Sequence, residues 1–293
     1  MNGILQDLVS VLDLETLEHN LFRGQSRDLG GRSVFGGQVI GQALVAAHRT
    51  VAPDAIVHSL HAYFLRPGDM DKPIVYDVDR VRDGRSFTAR RVQAIQNGQP
   101  ILTMIASFKP QEPGLEHQAT MPEVPPPESL PTLASLYRQW LEGVPGISER
   151  ARAAALREVP IEFRPVTPHN PFQPAQNPPA QAIWFKAPGP LPDDPMLHRC
   201  VLAYASDFNL LGTALRPHAK SWFAPDMAVA SIDHAIWFHR DLRADDWLLY
   251  QMESPSAQDA RGLTFGKIFD RQGRLVASVA QENLMRDLSL APR

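Results

Sequence analysis

The chain has 293 residues, 44% hydrophobic and 21% charged, with a formal net charge of −3. That length buries a large core and accommodates two domains of ordinary size. The slightly acidic balance excludes a nucleic-acid binder that works through backbone electrostatics, and no apolar run approaches the ~20 residues that span a membrane.

Residues 4–19 carry Leu5, Leu8 and Leu12 at helical spacing and predict an amphipathic helix; residues 18–26 predict a strand. Asp7 and Asp13, with no basic head, do not read as a signal peptide, and the C-terminal Leu290-Ala291-Pro292-Arg293 matches no common targeting tail. A soluble protein of the cytoplasm is expected. Gly30-Gly31 and Gly36-Gly37 bracket a loop leading into residues 38–49, apolar on nearly every face and rich in small side chains. That is the pattern of a buried helix with a sheet packed close against it. Four extended segments follow, 58–65, 73–82, 86–96 and 101–109. The last two are joined through Asn97-Gly98, which favours a tight hairpin. One buried helix followed by an antiparallel meander predicts an α+β arrangement in which the sheet wraps the helix.

From Pro110 the composition changes. Seven prolines between 110 and 131 predict a linker that is extended rather than packed, with short helices over 132–142 and 147–158. Strand candidates lie at 161–164 and 181–187. The first-half order then returns: helix over 196–204, a Ser206-Asp207-Phe208-Asn209 turn, helix over 210–215, strands over 227–239, 247–254 and 262–270, and a hairpin at Arg271-Gln272-Gly273 into 274–286. Cys200, the single cysteine, lies in an apolar run without an activating partner and reads as a buried small hydrophobe.

His58-Ser59-Leu60-His61-Ala62-Tyr63-Phe64-Leu65-Arg66-Pro67 is echoed by Ser231-Ile232-Asp233-His234-Ala235-Ile236-Trp237-Phe238-His239-Arg240, His61 falling on His234 at an offset of 173. Gly41-Gln42-Ala43-Leu44 falls on Gly212-Thr213-Ala214-Leu215 at 171, and Gly98 on Gly273 at 175. Offsets that close, in sequence order, describe a tandem duplication with small loop insertions. The expected division is an N-terminal repeat over 1–110, a proline-rich linker over 111–159 and a C-terminal repeat over 160–293.

Five stretches carry a family resemblance. They are Leu21-Phe22-Arg23-Gly24-Gln25-Ser26, Phe35-Gly36-Gly37-Gln38-Val39-Ile40-Gly41-Gln42-Ala43-Leu44, His58 through Asp69, Ser206-Asp207-Phe208-Asn209, and Ile232 through Arg240. In that order, over nearly the whole chain apart from the middle and the termini, they resemble the acyl-CoA thioesterase II family. The resemblance implies a double hotdog: two copies of a long helix wrapped by an antiparallel sheet, the sheets joined into one. It also implies hydrolysis of acyl-CoA to a free acid and coenzyme A, without cofactor, by a water that an Asp, a Thr or Ser, and a Gln aim at the thioester. Residue by residue these are Asp207, Ser231 and Gln281, with Ser where many relatives have Thr.

The chemistry is sound. A thioester carbonyl lacks much of the resonance stabilisation of an ester, so a polarised water attacks it without a metal or acyl-enzyme. A carboxylate acting as base contributes on the order of 10²–10⁴ in rate. The oxyanion needs backbone N–H donors, for which the Gly36-Gly37 turn at a helix N-terminus is nominated. Under the offsets Asp207 falls on Gly36, Ser231 on His58 and Gln281 on Ala106, so one centre per chain is expected, and His58 becomes a candidate for the site.

Blander readings stand beside these. Alone, Asp207 reads as the N-cap of the helix beginning near Phe208, Ser231 as an ordinary strand serine and Gln281 as a polar face residue. His61 and His234 read as hydrogen-bonded structural residues. His58 and His61, three apart on a strand, point to opposite faces, so no metal site is expected. Arg80, Arg82, Arg85, Arg90 and Arg91 could meet coenzyme A phosphates but read as a solvated sheet face. Two rival functions remain: a hotdog hydratase acting on enoyl-CoA, which needs an Asp–His pair where Asp207 has no His within five residues, and a non-catalytic acyl-CoA-binding module. A homo-oligomer, dimer or tetramer, is expected from the habit of hotdog sheets to pair through exposed edges.

Overall fold

The computed structural model describes residues 3–144 and 147–290; the last three residues of the C-terminal tail considered above lie outside them. Helix α1 (Gly3–Leu12) buries Leu5, Leu8, Val11 and Leu12. It stops there rather than at 19 because the apolar period ends. The exposed run Glu15–Glu18 instead forms strand β1, paired with β2 (Leu21–Gly24) and tied by an Arg23–Glu15 ion pair of 2.6 Å. The first repeat continues with α2 (Gly36–His48), β3 (Ile56–Phe64), β4 (Ile74–Asp83), β5 (Thr88–Gln96) and β6 (Gln99–Lys109). Positive φ at Asn97 and Gly98 closes the expected β5–β6 hairpin.

After α3 (Leu133–Glu142) and α4 (Glu149–Leu156) come β7 (Glu162–Pro165), β8 (Ala180–Lys186), α5 (Pro195–Ser206) and α6 (Leu210–Leu215). The chain ends with β9 (Met227–Ser231), β10 (Asp233–Phe238), β11 (Leu248–Gln258), β12 (Arg261–Asp270) and β13 (Leu275–Asp287). The described strands form one open antiparallel sheet in the order β1-β2-β4-β5-β6-β3-β10-β13-β12-β11-β8-β7, with β9 pairing the far end of β13. The order β2-β4-β5-β6-β3 is mirrored by β8-β11-β12-β13-β10, and the two halves meet antiparallel at β3 and β10. α2 lies against β4 and β5, and α6 against β11 and β12. The fold is an α+β double hotdog; in the second copy the short α6 takes the place of α2 against the sheet, and α5 before it packs on α2.

The pleat corrects the register of the echo. His234 is wholly buried while His61 is exposed, so the offset of 173 sets residues of opposite faces on one another. Side chains alternate across a strand, and a slip of one residue exchanges the faces. An offset of 174 restores the match, placing Leu60 under His234, Ala62 under Ile236 and Tyr63 under Trp237, buried on buried and exposed on exposed.

The linker also departs from expectation. It is extended, but it is packed. Gln118 bonds Gly273 O and Leu275 N at 2.8 and 3.1 Å, and Trp184 Nε1 donates to Pro125 O at 3.0 Å. Met121, Val124 and Leu130 rest on a cluster of Trp184, Trp247, Leu249 and Phe269. Prolines remove backbone donors without removing apolar surface, so a proline-rich strap still docks.

Candidate active site

Helix α5 ends at Ser206, and the chain turns through Asp207, Phe208 and Asn209, the last at φ 72°, before α6 begins. The turn sends the Asp207 carboxylate across the repeat boundary to the first turn of α2, where Oδ2 accepts the Gly37 N–H at 2.8 Å. The N-cap of α2 is Phe35, which has no capping oxygen. Asp207 therefore supplies the cap and receives the positive end of the helix dipole. The capping role considered from sequence exists, but for a different helix. Close approach demands glycine: a Cβ on Gly36 would stand 2.7 Å from Asp207 Oδ2, and one on Gly37 2.3 Å from Tyr204 O.

Ser231 closes β9. Instead of the one continuous strand expected over 227–239, Ile232 interrupts the run, its N–H donating to Glu282 O and its carbonyl accepting the Phe64 N–H, both at 2.9 Å. The break lets β9 pair with the end of β13 while β10 joins β3 and β13. It brings the Ser231 hydroxyl to 3.4 Å from Asp207 Oδ1. Gln281, buried on β13, donates from Nε2 to Ser231 Oγ at 2.9 Å and to Asn283 Oδ1 at 2.8 Å. Its Oε1 lies 2.5 Å from His234 Nδ1, and His234 Nε2 lies 2.9 Å from Ser206 Oγ.

Asp207, Ser231, Gln281, Gly36 and Gly37 thus come together. His58 does not. Its Nε2 bonds Ser107 Oγ at 2.8 Å and its ring meets Phe87 edge-on at 5.7 Å. The Ser231 end of the ladder lies beside Phe64, and His58 is six residues further back along β3, roughly 20 Å at strand rise. The pseudo-twofold carries equivalent residues to opposite ends of the β3–β10 ladder, so matching Ser231 by offset placed His58 at the wrong end. Of the two histidines read as hydrogen-bonded, His234 is, while exposed His61 meets the Trp237 ring edge-on at 5.1 Å. The arginine cluster is mostly paired: Arg90 is 1% exposed and bonds Thr50 and Asp83, Arg91 pairs with Asp79, and Arg80 with Asn20. Arg90 is no solvated side chain; it ties β5 to the end of α2.

Burial pushes the Asp207 carboxyl above its ordinary range, its side chain being only 4% exposed. His234 when protonated, the Gly37 N–H, and hydrogen bonds from Gln281 and Ser231 oppose the shift. Burial also lowers His234, against the pull of Asp207, which leaves the imidazole neutral near pH 7. Ser231, His234 and Asp207 lie together without forming a nucleophilic triad, because that arrangement sets a histidine between serine and carboxylate. Here both ring nitrogens are taken, by Gln281 and Ser206. The same fact answers the hydratase rival. Sequence distance hid His234, which stands 4.0 Å from Asp207, yet it has no free nitrogen to offer a substrate. Sequence reasoning missed three partners of the network: Ser206, Asn283 and the bond from Gly37. Asn283 alone carried a signal, two residues from Gln281 and so on the same strand face.

Aromatic rings wall the turn. The Phe35 and Phe208 rings lie 4.3 Å apart, tilted by 38°, Phe163 meets Phe208 at 5.2 Å, and Phe35 meets Tyr204 at 5.3 Å. Among the described residues, no helix is long and apolar enough to cross a membrane.

Comparison with known proteins agrees with this architecture. The family described as acyl-CoA thioesterase matches residues 151–284, and that described as acyl-CoA thioesterase N-terminal domain matches residues 25–109. Acyl-CoA thioesterase 2 of Haemophilus influenzae is 44% identical over 286 residues, 98% of this chain and 99% of its own. Acyl-coenzyme A thioesterase 8 of Homo sapiens is 44% identical over 285 residues, 95% of this chain and 88% of its own. The crystal structure of the acyl-CoA thioesterase II TesB2 from Mycobacterium marinum superposes with a TM-score of 0.77 at 44% identity, covering 96% of this chain and 98% of that one. A hot dog protein of Alicyclobacillus acidocaldarius, 20% identical with a TM-score of 0.73, shares the fold. Two repeats, matched end to end by relatives of this identity, establish that the chain belongs to the acyl-CoA thioesterase II family.

Proposed function

We propose that this enzyme hydrolyses acyl-CoA to a free fatty acid and coenzyme A by direct attack of a water bound jointly by Asp207 and Ser231. The observation that carries the reading is the buried Asp207 carboxylate, 3.4 Å from Ser231 Oγ, with no histidine between them. At that separation the two oxygens are too close for a water to lie between them, but one water beside the pair can bond both. The water donates one proton to Asp207 as its oxygen adds to the thioester carbonyl. The tetrahedral intermediate then expels the coenzyme A thiolate, which takes up the proton that Asp207 accepted. A carboxyl raised by burial is better matched to this work near neutral pH than an ordinary one.

The nominated oxyanion donors divide. The Gly37 N–H is spent on Asp207, whereas the Gly36 N–H, first in α2, has no hydrogen-bond partner among the described residues. It is assigned to the oxyanion, aided by the helix dipole. The aromatic wall of Phe35, Phe208 and Phe163 suits an acyl chain and keeps bulk water from the intermediate. Repeats over 1–110 and 160–293 flanking a linker, a cytoplasmic location, and assembly into a dimer or tetramer complete the proposal; light scattering checks the last. Thiol release from hexanoyl-, lauroyl- and palmitoyl-CoA tests the activity and sets its chain-length preference. No release from any of them, or hydration of crotonyl-CoA instead, would reject it.

A further inference from the structure

His234 has no part in the steps above, yet the network starts from it. The ring is wholly buried on β10. Gln281 Oε1 only accepts, so the 2.5 Å contact requires the proton on Nδ1 of His234. In the neutral ring Nε2 then accepts from the Ser206 hydroxyl, which also has Ala203 O within reach at 2.9 Å. Ser206 is itself held, since its carbonyl accepts from the Tyr250 hydroxyl at 3.0 Å.

The consequence runs through Gln281. With its oxygen turned to His234, its NH2 group faces Ser231 and Asn283. Ser231 Oγ accepts from Gln281, which frees its own proton for Asp207 or for the water that the two bind. Turned through 180°, Gln281 would present its oxygen to Ser231 and draw the serine proton away from Asp207. The two ends of a carboxamide have nearly the same shape, so packing does not choose between them. Asn283 does not choose either: its Nδ2 is buried without a partner, and a turned Asn283 would donate through that nitrogen to a turned Gln281. The proton on His234 Nδ1 makes the choice, and the Asp207 carboxylate, 4.0 Å from that nitrogen, favours the tautomer that carries it there.

We propose that His234 is a positioning residue for hydrolysis: by donating from Nδ1 to Gln281 Oε1 it sets the direction of the hydrogen bonds from Gln281 through Ser231 to Asp207. The proposal rests on the water-attack reading above. A His234→Phe variant removes the donor, whereas His234→Asn keeps an amide N–H near the place of Nδ1.

The experiment is steady-state hydrolysis of lauroyl-CoA by the full chain, each variant being checked for its melting curve. His234→Phe is expected to lower kcat about 10- to 100-fold with KM within about threefold, and His234→Asn to recover most of that loss. In a Gln281→Ala background, His234→Leu, which lacks the donor as phenylalanine does, is expected to cost nothing further, because the residue acts through Gln281. This cycle stands even where the phenylalanine variant does not fold. Full kcat in a folded His234→Phe variant overturns the proposal, and so does a His234→Leu effect that is the same with and without Gln281. Asp207→Asn separates the two levels. Full activity there rejects the water-attack reading itself, while an inactive Asp207→Asn beside fully active His234 variants rejects only the positioning role.

Discussion

Replacing Asp207 with Asn should cost activity and raise stability, and both effects follow from its surroundings. The carboxylate is 4% exposed, accepts one backbone N–H at 2.8 Å, and has as its nearest basic group a histidine 4.0 Å away that burial keeps neutral near pH 7. Asn preserves the shape and can still accept from Gly37, so the cap on α2 survives. What disappears is the base, which should lower kcat by about 10²–10⁴, or about 3–5 kcal/mol in the barrier. The stability effect has the opposite sign. A carboxyl whose folded pKa is raised binds its proton more tightly folded than unfolded, so ionisation above that raised pKa disfavours the fold. A tenfold difference in proton affinity between the folded and unfolded chain is worth about 1.4 kcal/mol. Asp207→Asn should therefore melt higher at pH 8, by about 2 °C for each kcal/mol in a chain of this size. The advantage should shrink as pH falls through the raised folded pKa and vanish near the unfolded value. Thiol release and melting curves at pH 8 and pH 4 test both halves. An Asn variant within tenfold of wild-type kcat, or one that melts lower at pH 8, refutes the reasoning.

Other outcomes follow from the same geometry. The log of kcat should fall with unit slope on the acid side, with a midpoint above the ordinary carboxyl value of 3.8 because burial raises Asp207; a midpoint at or below 3.8 would count against Asp207 as the base. Ser231→Ala should lower kcat about 10- to 100-fold, whereas Ser231→Thr, which keeps the hydroxyl, should stay within severalfold. Gly36→Ala would set a methyl 2.7 Å from both Asp207 Oδ2 and the Phe64 ring. It should reduce kcat at least tenfold by displacing the carboxylate, and unaltered kinetics would show that the contact is slack.

The alternation of His58–Pro67 and of Ser231–Arg240, with the all-round apolar run 38–49, was enough to read a duplicated helix and meander. The family resemblance, followed residue by residue, nominated Asp207, Ser231 and Gln281, which the fold brings together. Period-two patterns do not fix which of two adjacent residues faces the core, so the echo of identical histidines led to a register one residue out. The break at Ile232 was also illegible, because it arises from tertiary pairing: its N–H goes to Glu282 and its carbonyl to Phe64. His58 was misplaced because sequence equivalence in an antiparallel pseudo-dimer points to the opposite end of the shared ladder. The bond from Gly37 to Asp207 spans 170 residues, and no local pattern announces such a partner. Proline content, finally, announced a linker but said nothing of the two tryptophans on which it packs.

Direct attack by water leaves no acyl group on the protein, and that distinguishes this account from any mechanism with a serine or aspartate nucleophile. The most direct test is a single turnover of lauroyl-CoA by excess enzyme in ¹⁸O-water, acid-quenched during the reaction and read by mass spectrometry of intact protein, peptides and product. The account predicts unmodified protein throughout, with one ¹⁸O in the fatty acid and none in the peptide bearing Asp207. A lauroyl adduct on Ser231 or Asp207, or ¹⁸O in the Asp207 carboxyl, would contradict it.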